Sequence, residues 1–278
     1  MRPLRVTSVP YLNAAPLTWG FSRADATGAV DLALEPPARI AARLRSGRTE
    51  VGLIPAIDYQ RLEDVEILPG LCVASKHRAR SVFLASRLPI EKVTSVALDE
   101  NSSTSAALCR LILAHRGASG VSFSAGAPPL ADMLRAHDAA LIIGDAALTA
   151  DTSGLRVYDL AAEWLAITRL PFVFAVWAAR PGADLPGGVE PFEASRRAGL
   201  AHIDAIAREA APALRLPAAS LADYLRVNIH YDLGPEEIRG MDLFFRQALE
   251  LGLVPRLRPL RLREAAGGFR AAAEPRTA

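Results

Sequence analysis

The chain has 278 residues, 51% of them hydrophobic and 22% charged, with a formal net charge of +2. That is enough apolar material for one large domain or two smaller ones, and too little charge bias to point to nucleic acid as a partner. Only two of the 32 basic residues are lysines, Lys76 and Lys92; the rest are arginine, whose planar fork suits carboxylates. Cys72 and Cys109 form no CxxC, and His77, His115, His137, His202 and His230 show no ligand spacing. No metal, redox pair or cofactor is expected. The opening run MRPLRVTSVP reads straight into a strand, and no charge-free run reaches the length of a membrane span. The expectation is a soluble cytoplasmic protein with no membrane partner, monomeric or homodimeric.

Taken in chain order, short apolar runs alternate with helical segments, the pattern of an α/β fold. Residues 4–9 read as a strand, and 15–21 as a helix with Pro16 in its first turn. Residues 37–45 read as a helix ended by Ser46-Gly47, and 51–54 as a strand stopped at Pro55. Strands follow at 81–86, 93–98, 139–143 and 172–178. Beyond Gly182 the pattern turns helical, at 191–210, 221–229 and 236–251. From Arg261 the apolar pattern fades, and a frayed tail is expected.

The stretch 96–113 carries a chemical signal. An apolar run turns polar at Asp99, Asn101-Ser102-Ser103-Thr104-Ser105 follows, and apolar residues return at helical spacing from Ala107. The first turn of a helix leaves N–H groups unpaired and partly positive, and one hydroxyl is enough to cap it. The surplus hydroxyls suit a carboxylate or phosphate; the plainer reading is a cap with solvated neighbours. There is no GxxxxGK[ST] pattern, so this is not a P-loop. The chain also echoes itself. Segments 7–17 and 95–107 both run strand, polar loop, helix, and 50–57 and 139–147 both end a strand on Pro or Gly. Two lobes of like build would set these loops face to face across a cleft, where open α/β sheets bind ligands.

Nine segments in one order carry a resemblance: SVPYLNAAPL (8–17), VGLIPAIDY (51–59), LPGLCVAS (68–75), RSVFL (80–84), the 96–105 stretch, LIIGDAAL (141–148), DLAAEW (159–164), LPFVFAVWA (170–178) and YDLG (231–234). Together they resemble the chorismate dehydratase family, which opens the futalosine route to menaquinone. The resemblance implies an α/β, two-lobed fold like that of type II periplasmic binding proteins, with two crossover strands and a helical C-terminal region. The implied lobes are 1–86 with 176–278, and 87–175, with the ligand cleft between them. A sister family acting on cyclic futalosine carries His where this chain has Gly144-Asp145. The dehydratase pattern itself usually reads SerSerArgThrSer where this chain has Asn101-Ser102-Ser103-Thr104-Ser105.

The implied reaction is loss of water from chorismate to give 3-[(1-carboxyvinyl)oxy]benzoate, a hydro-lyase step without cofactor. Ser102, Ser103, Thr104 and Ser105 are then the expected donors to the ring carboxylate, beside Gly144. Asn13, whose amide both donates and accepts, would hold the departing hydroxyl, unless it serves only an Asx turn before Pro16. Ser81 would reach the second carboxylate. Either Asp145 or the substrate's own enolpyruvyl carboxylate takes the ring proton, and Asp145 has a capping role as its alternative. Asp58 reads as structural. Tyr11, Phe172 and Trp177 are expected as walls or core, with Tyr11 and Phe172 assigned to the substrate site, and Arg80 as a carboxylate partner or a surface cation. A non-catalytic binding module, or another lyase on this fold, would share the cleft.

Overall fold

The computed structural model describes residues 2–22 and 29–263, and the backbone of 269–271. Its strands are β1 (Leu4–Ser8), β2 (Val30–Leu34), β3 (Val51–Pro55), β4 (Glu66–Ser75), β5 (Val82–Ser86) and β6 (Ser95–Asp99). After these come β7 (Ser122–Gly126), β8 (Ala139–Ile143), β9 (Arg156–Asp159), β10 (Phe172–Ala179), β11 (Arg261–Arg263) and β12 (Phe269–Ala271). They form two sheets, in the orders β12-β11-β4-β10-β3-β1-β2 and β7-β6-β8-β5-β9.

The two sheets share a plan. In the first, β1 lies parallel to both β2 and β3, and the antiparallel β10 separates β3 from β4. In the second, β6 lies parallel to both β7 and β8, and the antiparallel β5 separates β8 from β9. The echoed segments therefore occupy equivalent places, β1 with β6 and β3 with β8. Central parallel strands are covered on both faces, which is why β3 and β8 read as near-continuous apolar runs.

The crossings between sheets fall at 76–81 and 169–171, before the expected boundaries at 86/87 and 175/176. All of β5 is paired with β8 and β9, and β10 spans the first sheet from Phe172. A strand buried and hydrogen-bonded along its whole length does not change sheets midway. The region expected as one helix at 191–210 is two, Glu190–Ala201 and Ile203–Leu214, broken at His202. The 221–229 segment begins earlier, as helix Ala218–Asp223, and closes in a π-helical turn, Tyr224–Asn228. The tail expected to fray from Arg261 instead supplies β11, which pairs with β4, and the short β12; residues 264–268 and 272–278 of that reading lie outside the described residues.

One helix fixes the segment after β1. In Glu190–Ala201, Ser195 Oγ accepts from Gly20 N at 3.0 Å and donates to Leu17 O at 2.9 Å. Gly199 sits so close to Pro16 that an added Cβ would lie 2.0 Å from the Pro16 carbonyl oxygen. The largest core cluster draws on both sheets, and Trp164, Phe172 and Phe244 meet edge to face inside it. Among the described residues no helix is long and apolar enough to cross a membrane.

Candidate functional site

The strand-end loops of both sheets meet at one cavity of about 530 Å³, its open mouth included. Val9, Tyr11 and Asn13 come from the loop after β1, Leu53 and Pro55 from β3, Ile143 and Gly144 from the end of β8, and Asn101 to Ser105, less Ser103, from the loop after β6. Val82, Phe174 and Ala175 complete an apolar wall. Helix Ser103–His115 opens into this space. Ser102 is its N-cap, accepting from Ser105 N at 3.3 Å. The loop uses one hydroxyl as a cap, and the remaining N–H groups of the first turn give the cavity a positive pole.

No lysine or arginine is among the described residues that line the cavity, and Tyr11 is the one lining residue with a titratable side chain. Burial, with the negative charges of Asp99 and Asp145 nearby, pushes the Tyr11 phenol up to about 12. It is therefore neutral at physiological pH. Gly144 adopts a left-handed φ of +61°, and a Cβ there would lie 3.3 Å from the Tyr11 ring. Two hydrogen bonds tie the halves of the cavity together. Thr104 Oγ1 accepts from Ile57 N at 3.1 Å, and Asp145 Oδ1 accepts from Leu12 N at 3.0 Å. Outside the lining, the buried Tyr224 phenol donates to Ser81 Oγ at 2.7 Å.

Residues 4–250 match the sequence model of a family described as menaquinone biosynthesis. The chain belongs to the menaquinone-biosynthesis family. Within reach of it is the chorismate dehydratase of Thermus thermophilus, 31% identical across 93% of this chain and 100% of that protein. Among solved structures, a protein of Archaeoglobus fulgidus matches 91% of this chain and 99% of its own, at 18% identity and a TM-score of 0.67. The alkanesulfonate-binding protein SsuA of Xanthomonas axonopodis, bound to MOPS, matches 92% of this chain and 95% of its own, at 17% identity and a TM-score of 0.67. SsuA is a periplasmic binding protein, and the likeness shows that type of fold for this chain.

On this family fold, Tyr11, Asn13, Ser102, Thr104, Ser105 and Gly144 converge on the cavity as the sequence led one to expect. Four residues do not. Ser103 is absent from the lining, and its buried hydroxyl has no hydrogen-bond partner among the described residues; burial pushes the neighbouring-loop Asp58 carboxyl up against the opposing pull of Arg61. Phe172 is core, 1% exposed, and Phe174 is the wall instead. The register shifts between Val173 and Ala175, and this bulge turns Phe174 and Ala175 together to the cavity. Ser81 is fully buried behind Tyr224 and outside the lining. Asp145 lines the neighbouring groove rather than the cavity, its carboxylate engaged with Leu12 N–H, and burial raises its pKa.

Trp177 packs in the core against Phe192. Arg80 reaches Ser220 Oγ at 3.3 Å and the Asp223 carboxylate at 3.6 Å, so its partner is internal. Sequence reasoning missed Asn101 and Phe174. Asn101 was legible as part of the polar loop; Phe174 needed the bulge.

Proposed function

We propose that this chain removes water from chorismate to give 3-[(1-carboxyvinyl)oxy]benzoate, a hydro-lyase step at the futalosine entry to menaquinone. The relative from Thermus thermophilus supports the reaction. The observation that carries the mechanism is a cavity with a helix-terminus pole and no carboxylate, imidazole or amine among its described lining residues.

The reaction breaks one ring C–H bond and one C–OH bond, and the ring becomes aromatic as water leaves. The acidic C–H is conjugated to the ring carboxylate, so its removal sends charge onto that group. Ser102, Thr104, Ser105 and the first N–H groups of helix Ser103–His115 bind the ring carboxylate. They stabilise it most when the charge has grown, which accelerates the step rather than merely tightening binding. With the Tyr11 phenol at about 12, the proton goes to the enolpyruvyl carboxylate of the substrate itself. Asn13 holds the hydroxyl that departs.

The test is direct. Purified protein and chorismate, without added cofactor, are expected to yield a product lighter by one water. Chorismate bound but unchanged would favour a binding module instead. Asp145→Asn is expected to keep activity to within about one order of magnitude, because its amide oxygen still accepts from Leu12 N–H, and neutral and charged hydrogen bonds differ by roughly 1–2 kcal/mol. An Asp145→Asn protein that is folded, binds chorismate and is inactive would make Asp145 the base.

A further inference from the structure

Asp145 lies in the first turn of the short helix Gly144–Leu148, yet its side chain bonds outside that helix. Oδ1 accepts from the backbone N–H of Leu12 at 3.0 Å, across from the loop of the other sheet. Leu12 is the first residue of the 3-10 turn Leu12–Ala14, which receives no side-chain cap from the residue before it. The first N–H of such a turn has no partner within it. A carboxylate of the second sheet therefore caps a turn of the first. The residue on either side makes a matching contact. The Tyr11 ring lies against Gly144, so close that an added Cβ would stand 3.3 Å from it. Two consecutive residues, Tyr11 and Leu12, are thus docked on two others, Gly144 and Asp145.

The docked segment is a partition. Val9 and Tyr11 line both the cavity and the neighbouring groove, while Pro10, Leu12 and Asp145 line the groove alone. The other tie between the halves, Ile57 N–H to Thr104 Oγ1, is placed differently. Both of its residues are buried, and Ile57 belongs to the core cluster that draws on both sheets. Of these two ties, the one at Asp145 borders the open groove and can let go without parting the core. We propose that Asp145 is a positioning residue: by capping the Leu12 turn from across the cleft, its carboxylate seats the segment that carries Tyr11 and Asn13 against the cavity. The role deepens the chorismate reading and rests on it for its catalytic consequence. Without the cap the Leu12 N–H loses its partner, and Asn13, in the same turn, loses its fixed place beside the departing hydroxyl.

Asp145→Ala removes the acceptor, whereas Asp145→Asn keeps one. With chorismate, kcat of Asp145→Ala is expected to fall roughly tenfold or more below that of Asp145→Asn, the size of one hydrogen bond, with KM changed less. The second readout needs no turnover. In hydrogen exchange followed by NMR, the Leu12 amide should exchange roughly tenfold faster or more in Asp145→Ala than in the wild type. Asp145→Asn should restore most of that protection, and the Ile57 amide should stay slow in all three proteins. An unmoved Leu12 amide overturns the proposal. So does acceleration of Leu12 and Ile57 alike, because the molecule then loosens as a whole. Equal kcat in the two variants beside an active wild type overturns it as well. If the wild-type protein leaves chorismate unchanged, the chorismate reading fails, and the exchange of Leu12 against Ile57 alone decides the role of Asp145.

Discussion

A Thr104→Val protein is expected to lose one to two orders of magnitude in kcat/KM on chorismate, while Ser103→Ala keeps wild-type kinetics. The residues are adjacent and both carry hydroxyls, but they face different neighbours. Thr104 lines the cavity and accepts from Ile57 N at 3.1 Å, which leaves its proton for a ligand. Ser103 is absent from the lining, and its buried hydroxyl has no hydrogen-bond partner among the described residues. A hydrogen bond to a charged group contributes about 1.5–3 kcal/mol, which corresponds to the loss given for Thr104. Valine preserves the branched shape, so the loss reads the hydroxyl rather than a cavity. Steady-state kinetics on the two variants decide the matter: equal losses would mean that the helix presents its hydroxyls otherwise, and no loss in either would remove the pole from the mechanism.

Gly199→Ala carries the largest expected effect on stability, more than about 3 kcal/mol, above the ordinary range for overpacking. The added methyl would stand 2.0 Å from the Pro16 carbonyl oxygen, and both sides of that contact are backbone. No side chain can swing away, so helix Glu190–Ala201 and the segment after β1 must separate. That segment carries Tyr11 and Asn13. A urea titration should show a much lower midpoint, and any protein that still folds should be impaired in turnover. An unchanged midpoint would mean that the helix and segment can part at little cost.

Much of the arrangement was legible because it depends on local chemistry. The apolar runs of β3 and β8, the proline and glycine that stop them, and the polar loop before helix Ser103–His115 each announce a strand end near a helix start. The weak echo between 7–17 and 95–107 corresponds to a real equivalence, β1 and β6 each lying between two parallel neighbours. What could not be read depends on facing. A run of hydroxyls at a helix start does not tell which of them points to solvent, ligand or interior, hence Ser103. An alternating strand hides a bulge, hence Phe172 in place of Phe174. β7, Ser122–Gly126, is mostly small and polar and holds its place by pairing with β6, so it has no apolar signature to find. Pro69 and Gly70 inside β4 masked a long strand.

The shared plan of the sheets also sets an order of assembly during synthesis. The second sheet is built from one continuous stretch, Val82 to Asp159, and all its strands exist once that stretch has left the ribosome. The first sheet begins earlier yet finishes later, because β10 must come between β3 and β4. Until Ala179 is made, the earlier half of the chain holds β2-β1-β3 on one side of a gap and β4 on the other, each with a bare edge ready to pair with a neighbouring chain. The part of the molecule synthesised first is thus the part that waits longest for its own completion.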